Sequence, residues 1–173
     1  MKKIIETKRL IIRKAENTEK DVEFYHRLWN HPKVMKFVGF PKGLRISKER
    51  ISKQISEQSN SEFDRLLLVE IKENGTLIGE TKLGFPDEEG ISKTDIKLLP
   101  EFWGNGFGKE IKKALINYIF EHTDAKAVEG SPNKKNTASI KMQESVGAKK
   151  IKEGVYHFPE SMKDFTEDVH CII

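Results

Sequence analysis

The hydrophobic period of the chain switches from strand-like to helix-like at a glycine-rich turn near residue 104, and this switch constrains the fold more than any other feature. Ahead of it lie three β-rich runs, residues 65–71, 76–83 and 91–99. Glu73-Asn74-Gly75 joins the first two, and an Asn-Gly pair between such runs is a strong hairpin signal. The acidic turn Asp87-Glu88-Glu89-Gly90 leads to the third, so the three form an antiparallel meander. Beyond the turn, Phe107, Ile111, Ala114, Leu115, Tyr118 and Ile119 recur at i, i+4, i+7, i+8, i+11 and i+12, which predicts a helix over 106–121. A meander that feeds a helix through glycines calls for a sheet with helices packed on it.

The flanks supply the remaining layers. Residues 9–14, with Leu10, Ile11 and Ile12 between basic residues, read as a strand after a polar lead. Val22, Tyr25, Leu28 and Trp29 at helical spacing predict a helix over 18–29, stopped by Asn30-His31-Pro32. A loop containing Phe40-Pro41-Lys42-Gly43 leads to a weaker helix capped by Ser47, with a thin stripe of Ile46, Ile51 and Ile55. After the main helix come a short strand at 125–130 and a helix at 136–146 with Ile140 and Val146 turned inward and Gly147 as its stop. Strands at 149–155 and 168–173, joined by a loop with Pro159, end the chain. The expectation is one domain over 1–173, of α/β (α+β) class: a mixed, mostly antiparallel seven-stranded sheet flanked by about four helices. A chain of 173 residues buries roughly 70% of its unfolded surface, enough for one core.

Composition narrows the function classes. Charged residues make up 34% of the chain, and the net charge of +4 comes from interspersed Lys and Glu rather than a basic block. Such a surface suits anionic small ligands better than nucleic-acid wrapping, for which a pI near 9.0 is the whole case. No apolar run approaches the ~18 residues of a membrane span, and the first ten residues lack a secretory signal's apolar stretch and cleavage site; a cytoplasmic location is expected. The lone Cys171 excludes an internal disulfide framework, and His26, His31, His122, His157 and His170 show no metal-ligand spacing, so no metal is expected.

The chemistry concentrates in Leu98-Leu99-Pro100-Glu101-Phe102-Trp103-Gly104-Asn105-Gly106-Phe107-Gly108-Lys109. Glycines give an anion close access to backbone N–H groups, and the helix start adds unpaired donors and the positive dipole end. Spacing rules out two phosphate folds. Gly104 and Gly108 are too close for a Walker loop, with Glu110 where the magnesium-binding hydroxyl belongs. A dinucleotide fingerprint would open a βαβ unit, whereas this turn follows a meander.

Thr7-Lys8-Arg9-Leu10-Ile11-Ile12-Arg13, the order of elements, Trp103-x-x-Gly106-x-Gly108, Asn136-x-x-Ser139 and Gly147 together carry a resemblance over nearly the whole chain. On these residues the chain resembles the GNAT superfamily of acyl-CoA N-acyltransferases, within it the branch of ribosomal-protein N-terminal acetyltransferases. It departs from the family at Trp103, usually Gln or Arg although Trp occurs in that branch, and at Ala148, commonly Phe. The resemblance implies a sheet splayed between its fourth and fifth strands, 91–99 and 125–130, that holds acetyl-CoA as cosubstrate. Pantetheine would pair with the backbone at Leu98 and Leu99. Pyrophosphate would meet the N–H groups of Trp103, Gly104, Asn105, Gly106, Phe107, Gly108 and Lys109. Asn136 would hold the pantetheine arm. Lys109, Lys134 and Lys135 are rim candidates for the ribose phosphate, against the simpler reading of solvated lysines.

The resemblance also implies direct transfer from the thioester to an amine, with a backbone N–H at Leu98 or Leu99 holding the oxyanion. Asp95 and Glu101 are the candidate general bases, each equally readable as a solvated charge. Gln143 stands where many relatives carry the tyrosine that protonates the departing thiolate; Ser139 matches the hydroxyl of the ribosomal-protein-like branch and is the candidate acid or orienter of the sulfur, against the simpler reading of a hydroxyl bonded back to the helix backbone. Trp29, Phe37 and Phe40 are candidates for the acceptor pocket, and Glu80 and Asp95 for greeting a cation. The expected activity is N-acetylation of a primary amine: a protein N-terminus, an amino acid, a polyamine or an aminoglycoside-like molecule. A non-catalytic CoA-binding sensor module is the competing class. A homodimer stays open.

Overall fold

In the computed structural model, which describes residues 3–173, the strands are β1 (Lys3–Glu6), β2 (Leu10–Lys14), β3 (Leu67–Ile71), β4 (Leu77–Leu83), β5 (Ile91–Leu98), β6 (Ala127–Glu129), β7 (Glu153–Tyr156) and β8 (Val169–Ile172). The helices are α1 (Glu19–Trp29), α2 (Pro32–Met35), α3 (Lys48–Ser56), α4 (Phe107–His122) and α5 (Thr137–Glu144). The Asn-Gly hairpin forms as its sequence predicts: Gly75 takes φ +66°, its N–H closes on Ile71 O at 2.8 Å, and β3 and β4 pair antiparallel. Successive antiparallel pairs link β1 through β5, and β6 joins β5 in parallel after the crossover through α4.

The strand tally corrects the expected single sheet of seven. Eight strands divide into a sheet of six, in the order β1-β2-β3-β4-β5-β6, and a separate hairpin, β7-β8. The lead read as polar carries Ile4 and Ile5, and these suffice for an edge strand that folds back on β2 across the corner Thr7–Lys8–Arg9. At the other end β6 spans three residues, and only the isolated bridge Asn133↔Cys171 connects β8 to the segment that follows it. α1 ends at Trp29 with Asn30 as its cap, as the stop Asn30-His31-Pro32 predicts, and a further one-turn helix, α2, begins at Pro32, where a missing N–H is harmless.

The sheet is covered on both faces because its inner strands alternate between two cores. Leu67 and Val69 join Leu10, Ile12 and Ile78 against Ile111, Leu115 and Ile119 of α4. Leu68, between them, packs with Leu28, Ile51 and Tyr25 beneath α1 and α3. Thr18 and Ser47 cap α1 and α3 by accepting from Asp21 N and Arg50 N. Arg13 is buried on this second face, forked onto Asp21 at 2.7 Å by both terminal nitrogens and reaching Glu70 by Nε at 3.0 Å, so one guanidinium ties β2, α1 and β3. Ile140 and Val146, expected inward, are half-buried, and no residue of α5 is fully buried, because that helix borders an open cleft.

Candidate active site

The cleft begins where β5 and β6 part. Their parallel pairing covers Ile91↔Ala127, Ser92↔Val128 and Lys93↔Glu129, after which β5 runs on to Leu98 with that edge unpaired. Leu99 N–H bonds to Ile78 O at 3.0 Å, so the pleat turns the N–H groups of its neighbour Leu98 and of Ile96 toward the opening. This separates two residues named together from the sequence. Leu98 faces the cleft, whereas Leu99 spends its N–H on β4 and is wholly buried in the core. Leu98 O already accepts from Trp103 Nε1 at 2.8 Å, which leaves the N–H as the free group at that residue.

Past Leu99 a short 3₁₀ turn, Pro100–Phe102, ends with Trp103 N–H on Pro100 O at 3.1 Å, so the amide of Trp103 is tied up and its ring is what reaches the cleft. That corrects its expected place among the exposed amides. From Gly104 to Lys109, six consecutive N–H groups donate to no protein group among the described residues. Gly104 at φ +77° and Gly106 at φ +76° make the bend possible, and Gly106 leads directly into α4, whose dipole reinforces these donors.

Arg9 braces the turn. Its Nε meets Glu110 Oε2 at 2.7 Å, its Nη1 donates to Asn105 O at 3.0 Å, and its guanidinium lies 4.4 Å over the Phe107 ring. Glu110 Oε1 accepts from Thr7 Oγ1 at 2.6 Å and Arg9 N at 2.9 Å. Burial pushes the Glu110 carboxyl up, but these bonds and the Arg9 charge outweigh it and hold it below its usual range. The one carboxylate in the first turn of α4 is thus neutralised before any anion arrives.

A cavity of about 830 Å³ runs from this turn along β5, bordered by the ring of Trp103, the glycines, Lys109, Asn136, Ser139 and Gln143. Asn136 caps α5 by accepting from Ser139 N at 3.1 Å, which leaves its amide NH₂ free to donate. Among the described residues Ser139 Oγ has no hydrogen-bond partner, and Gln143 packs against Gly130. Glu101 does not border the cavity; it pairs with Arg27, across the fold. Lys134 is held by Glu153 at 2.7 Å, and neither it nor Lys135 borders the cavity, so Lys109 is the remaining rim lysine of the three.

A second cavity of about 470 Å³ lies on the α1 and α3 face and meets the first at Val38, Phe40, Asp95 and Lys97. Phe37 borders the larger cavity and Trp29 the smaller. Glu80 accepts from Trp29 Nε1 at 2.8 Å and Lys97 Nζ at 3.0 Å, and Lys97 also pairs with Asp95. Burial opposes the Lys97 charge, but the two carboxylates outweigh it and raise its pKa. Burial likewise pushes Asp95 up, and the Lys97 charge and hydrogen bond bring it below its usual value, so Asp95 is a persistent anion.

Sequence reasoning missed Lys112. It is 2% exposed, borders the larger cavity from α4, and donates to Thr94 Oγ1 at 2.5 Å; burial pulls its ammonium down to about 8 against the opposing pull of Asp95. The signal was present: Gly108, Lys112, Leu115 and Ile119 fall at i, i+4, i+7 and i+11, which sets a lysine on the buried stripe.

The chain matches the acetyltransferase (GNAT) domain family over residues 9–149. It is 29% identical over 167 residues to the uncharacterized N-acetyltransferase p20 of Bacillus licheniformis, covering 95% of this chain and 91% of that protein. Among solved structures, an acetyltransferase (GNAT family) from Bacillus anthracis superposes with a TM-score of 0.73 at 22% identity, covering 98% of this chain and 96% of the other. Spermidine N-acetyltransferase from Vibrio cholerae, in complex with CoA and spermine, superposes with a TM-score of 0.72 at 18% identity, covering 95% and 94%.

Proposed function

The chain belongs to the acetyltransferase (GNAT) family, and on that premise we propose that it transfers the acetyl group of acetyl-CoA directly to a primary amine with both substrates bound at once. The observation that carries this reading is the run of six unpartnered amides, Gly104 to Lys109, at the head of a cavity that enters the splay between β5 and β6. A diphosphate fits there: the donors converge at a helix start, the local carboxylate is neutralised, and the glycines keep Cβ atoms out of the way.

Bound acetyl-CoA would supply a thioester carbonyl open to attack by an amine. The N–H of Leu98, on the open edge, is placed to donate to that carbonyl oxygen, and the free NH₂ of Asn136 to the pantetheine amides. Asp95 sits where the two cavities join. A carboxylate held anionic by Lys97 is a poor store for a proton but a constant hydrogen-bond acceptor, so it orients the acceptor amine while water carries the proton away. Glu101, paired with Arg27 outside the cavity, takes no part. Ser139 Oγ, with no hydrogen-bond partner among the described residues, orients the sulfur or gives it a proton.

Calorimetry with CoA, followed by free-thiol release from acetyl-CoA over an amine panel, tests this. Binding with amine-dependent thiol release is expected. Absence of CoA binding refutes the site. Binding without release for any amine refutes the enzyme and leaves the CoA-binding sensor module, which the glutamine at position 143 keeps as the second reading.

A further inference from the structure

The smaller cavity is charge-balanced in a way that selects its occupant. Its lining holds three carboxylates, Asp64, Glu80 and Asp95, and three cations, Arg65, Lys82 and Lys97. Every carboxylate is already engaged: Asp64 by Lys82 at 3.4 Å and by Phe85 N at 3.2 Å, Glu80 by Lys97 and Trp29, and Asp95 by Lys97. Lys97 lies between two of the three, where an incoming ammonium would otherwise sit. Glu80 and Asp95 share this one cation, so the group keeps a single net negative charge, which suits one ammonium and not the several of a polycation.

Arg65 is the converse case. Its guanidinium donates to Ser61 O at 3.2 Å, Asp64 O at 3.1 Å and Ser59 Oγ, and among the described residues it meets no carboxylate. A guanidinium has five N–H groups in a planar fork that matches a carboxylate's two oxygens. Three are in use on neutral oxygens, leaving two donors and a positive charge with no carboxylate partner among the described residues, on the wall of a cavity whose other charged side chains leave one negative charge in excess.

Resting on the acetyl-transfer reading, we infer that the acceptor is a small amine that itself carries a carboxylate, an amino acid rather than a polyamine, with its carboxylate on Arg65 and its amine at the Asp95–Lys97 junction. Arg65 is then the residue that sets acceptor specificity. Lys97 fills the seat that a second ammonium would need. Gln54 of α3, also on the wall, is placed to meet the side chain of the acceptor.

The test compares matched pairs that differ at one group: α- and ω-amino acids against their carboxamides, with spermidine and spermine alongside, by thiol release from acetyl-CoA. The acids should exceed their amides at least tenfold in kcat/KM, and the polyamines should fall with the amides. Arg65→Gln should raise KM for the acids at least tenfold, to the level of the amides, with a smaller effect on kcat. Arg65→Lys, which keeps the charge and loses the fork, should recover part of that loss and also guards against a folding artefact. Equal rates for acid and amide, or a preference for spermidine, would overturn the inference while leaving acetyl transfer standing. If no amine releases thiol, calorimetry of the same pairs in the presence of CoA still decides: tighter binding of the acids supports the carboxylate site without the enzyme, and equal binding removes it.

Discussion

Lys112→Met replaces a buried ammonium with an uncharged chain of similar length, and the structure fixes both the sign and the size of the effect. Burial lowers this lysine from 10.5 to about 8, which corresponds to about 3 kcal/mol against the charged form in the folded state. Losing the bond to Thr94 Oγ1 returns about 1 kcal/mol, so the variant should be the more stable protein at pH 7 by about 2 kcal/mol, or about 4–8 °C in Tm for a chain of this size. The pH dependence identifies the cause. Below pH 8 the lysine is protonated folded and unfolded, and the penalty is constant. Between pH 8 and 10.5 the unfolded chain binds the extra proton, so wild-type stability rises with pH. Urea titrations of both proteins at pH 7, 8.5 and 10 should show the variant's advantage shrinking to nothing by pH 10. An advantage independent of pH, or a variant less stable at pH 7, would refute the account of Lys112 as a desolvated cation.

Gly106→Pro removes one of the six free amides and demands φ near −65° where the chain holds +76°, so CoA affinity should fall at least tenfold by calorimetry while the far-ultraviolet circular dichroism stays that of the wild type. Ser139→Ala should lower kcat with little change in CoA affinity if its hydroxyl serves the leaving sulfur; an unaltered kcat returns it to a structural role. Arg13→Met strands Asp21 and Glu70 as buried carboxylates without their cation and should cost about 3–5 kcal/mol, read from the urea midpoint.

What could be read from the sequence was whatever depends on neighbours along the chain. The Asn74-Gly75 hairpin, the caps at Thr18 and Ser47, the stripe of α4 and the glycine turn are local, and all lie where the residues place them. The unread parts are settled by distant partners. Glu101 looks available beside the glycine turn because Arg27, 74 residues away, is invisible from there. Leu98 and Leu99 looked equivalent until Ile78 took the amide of one of them. The final two strands have the composition of any short strand, which does not say what they pair with; they pair with each other, and β8 meets the segment after β6 at the bridge Asn133↔Cys171. Lys112 is the instructive miss, since its place on the stripe was readable and only its cationic character argued against burying it.

The corner Thr7–Lys8–Arg9 is tied to the sheet at its β2 end. Arg9 leads straight into β2 and its O accepts from Lys72 N at 2.9 Å, so the register of β2 on β3 sets where its guanidinium reaches Glu110, Asn105 and Phe107. A one-residue slip of that register would turn the guanidinium to the opposite face of the sheet and leave the carboxylate of Glu110 without its cation beside the glycine turn. The edge of the sheet farthest from β5 thereby sets the charge beside the glycine turn that opens α4, and hydrogen exchange at the amides of 104–106 would report a slip of that register.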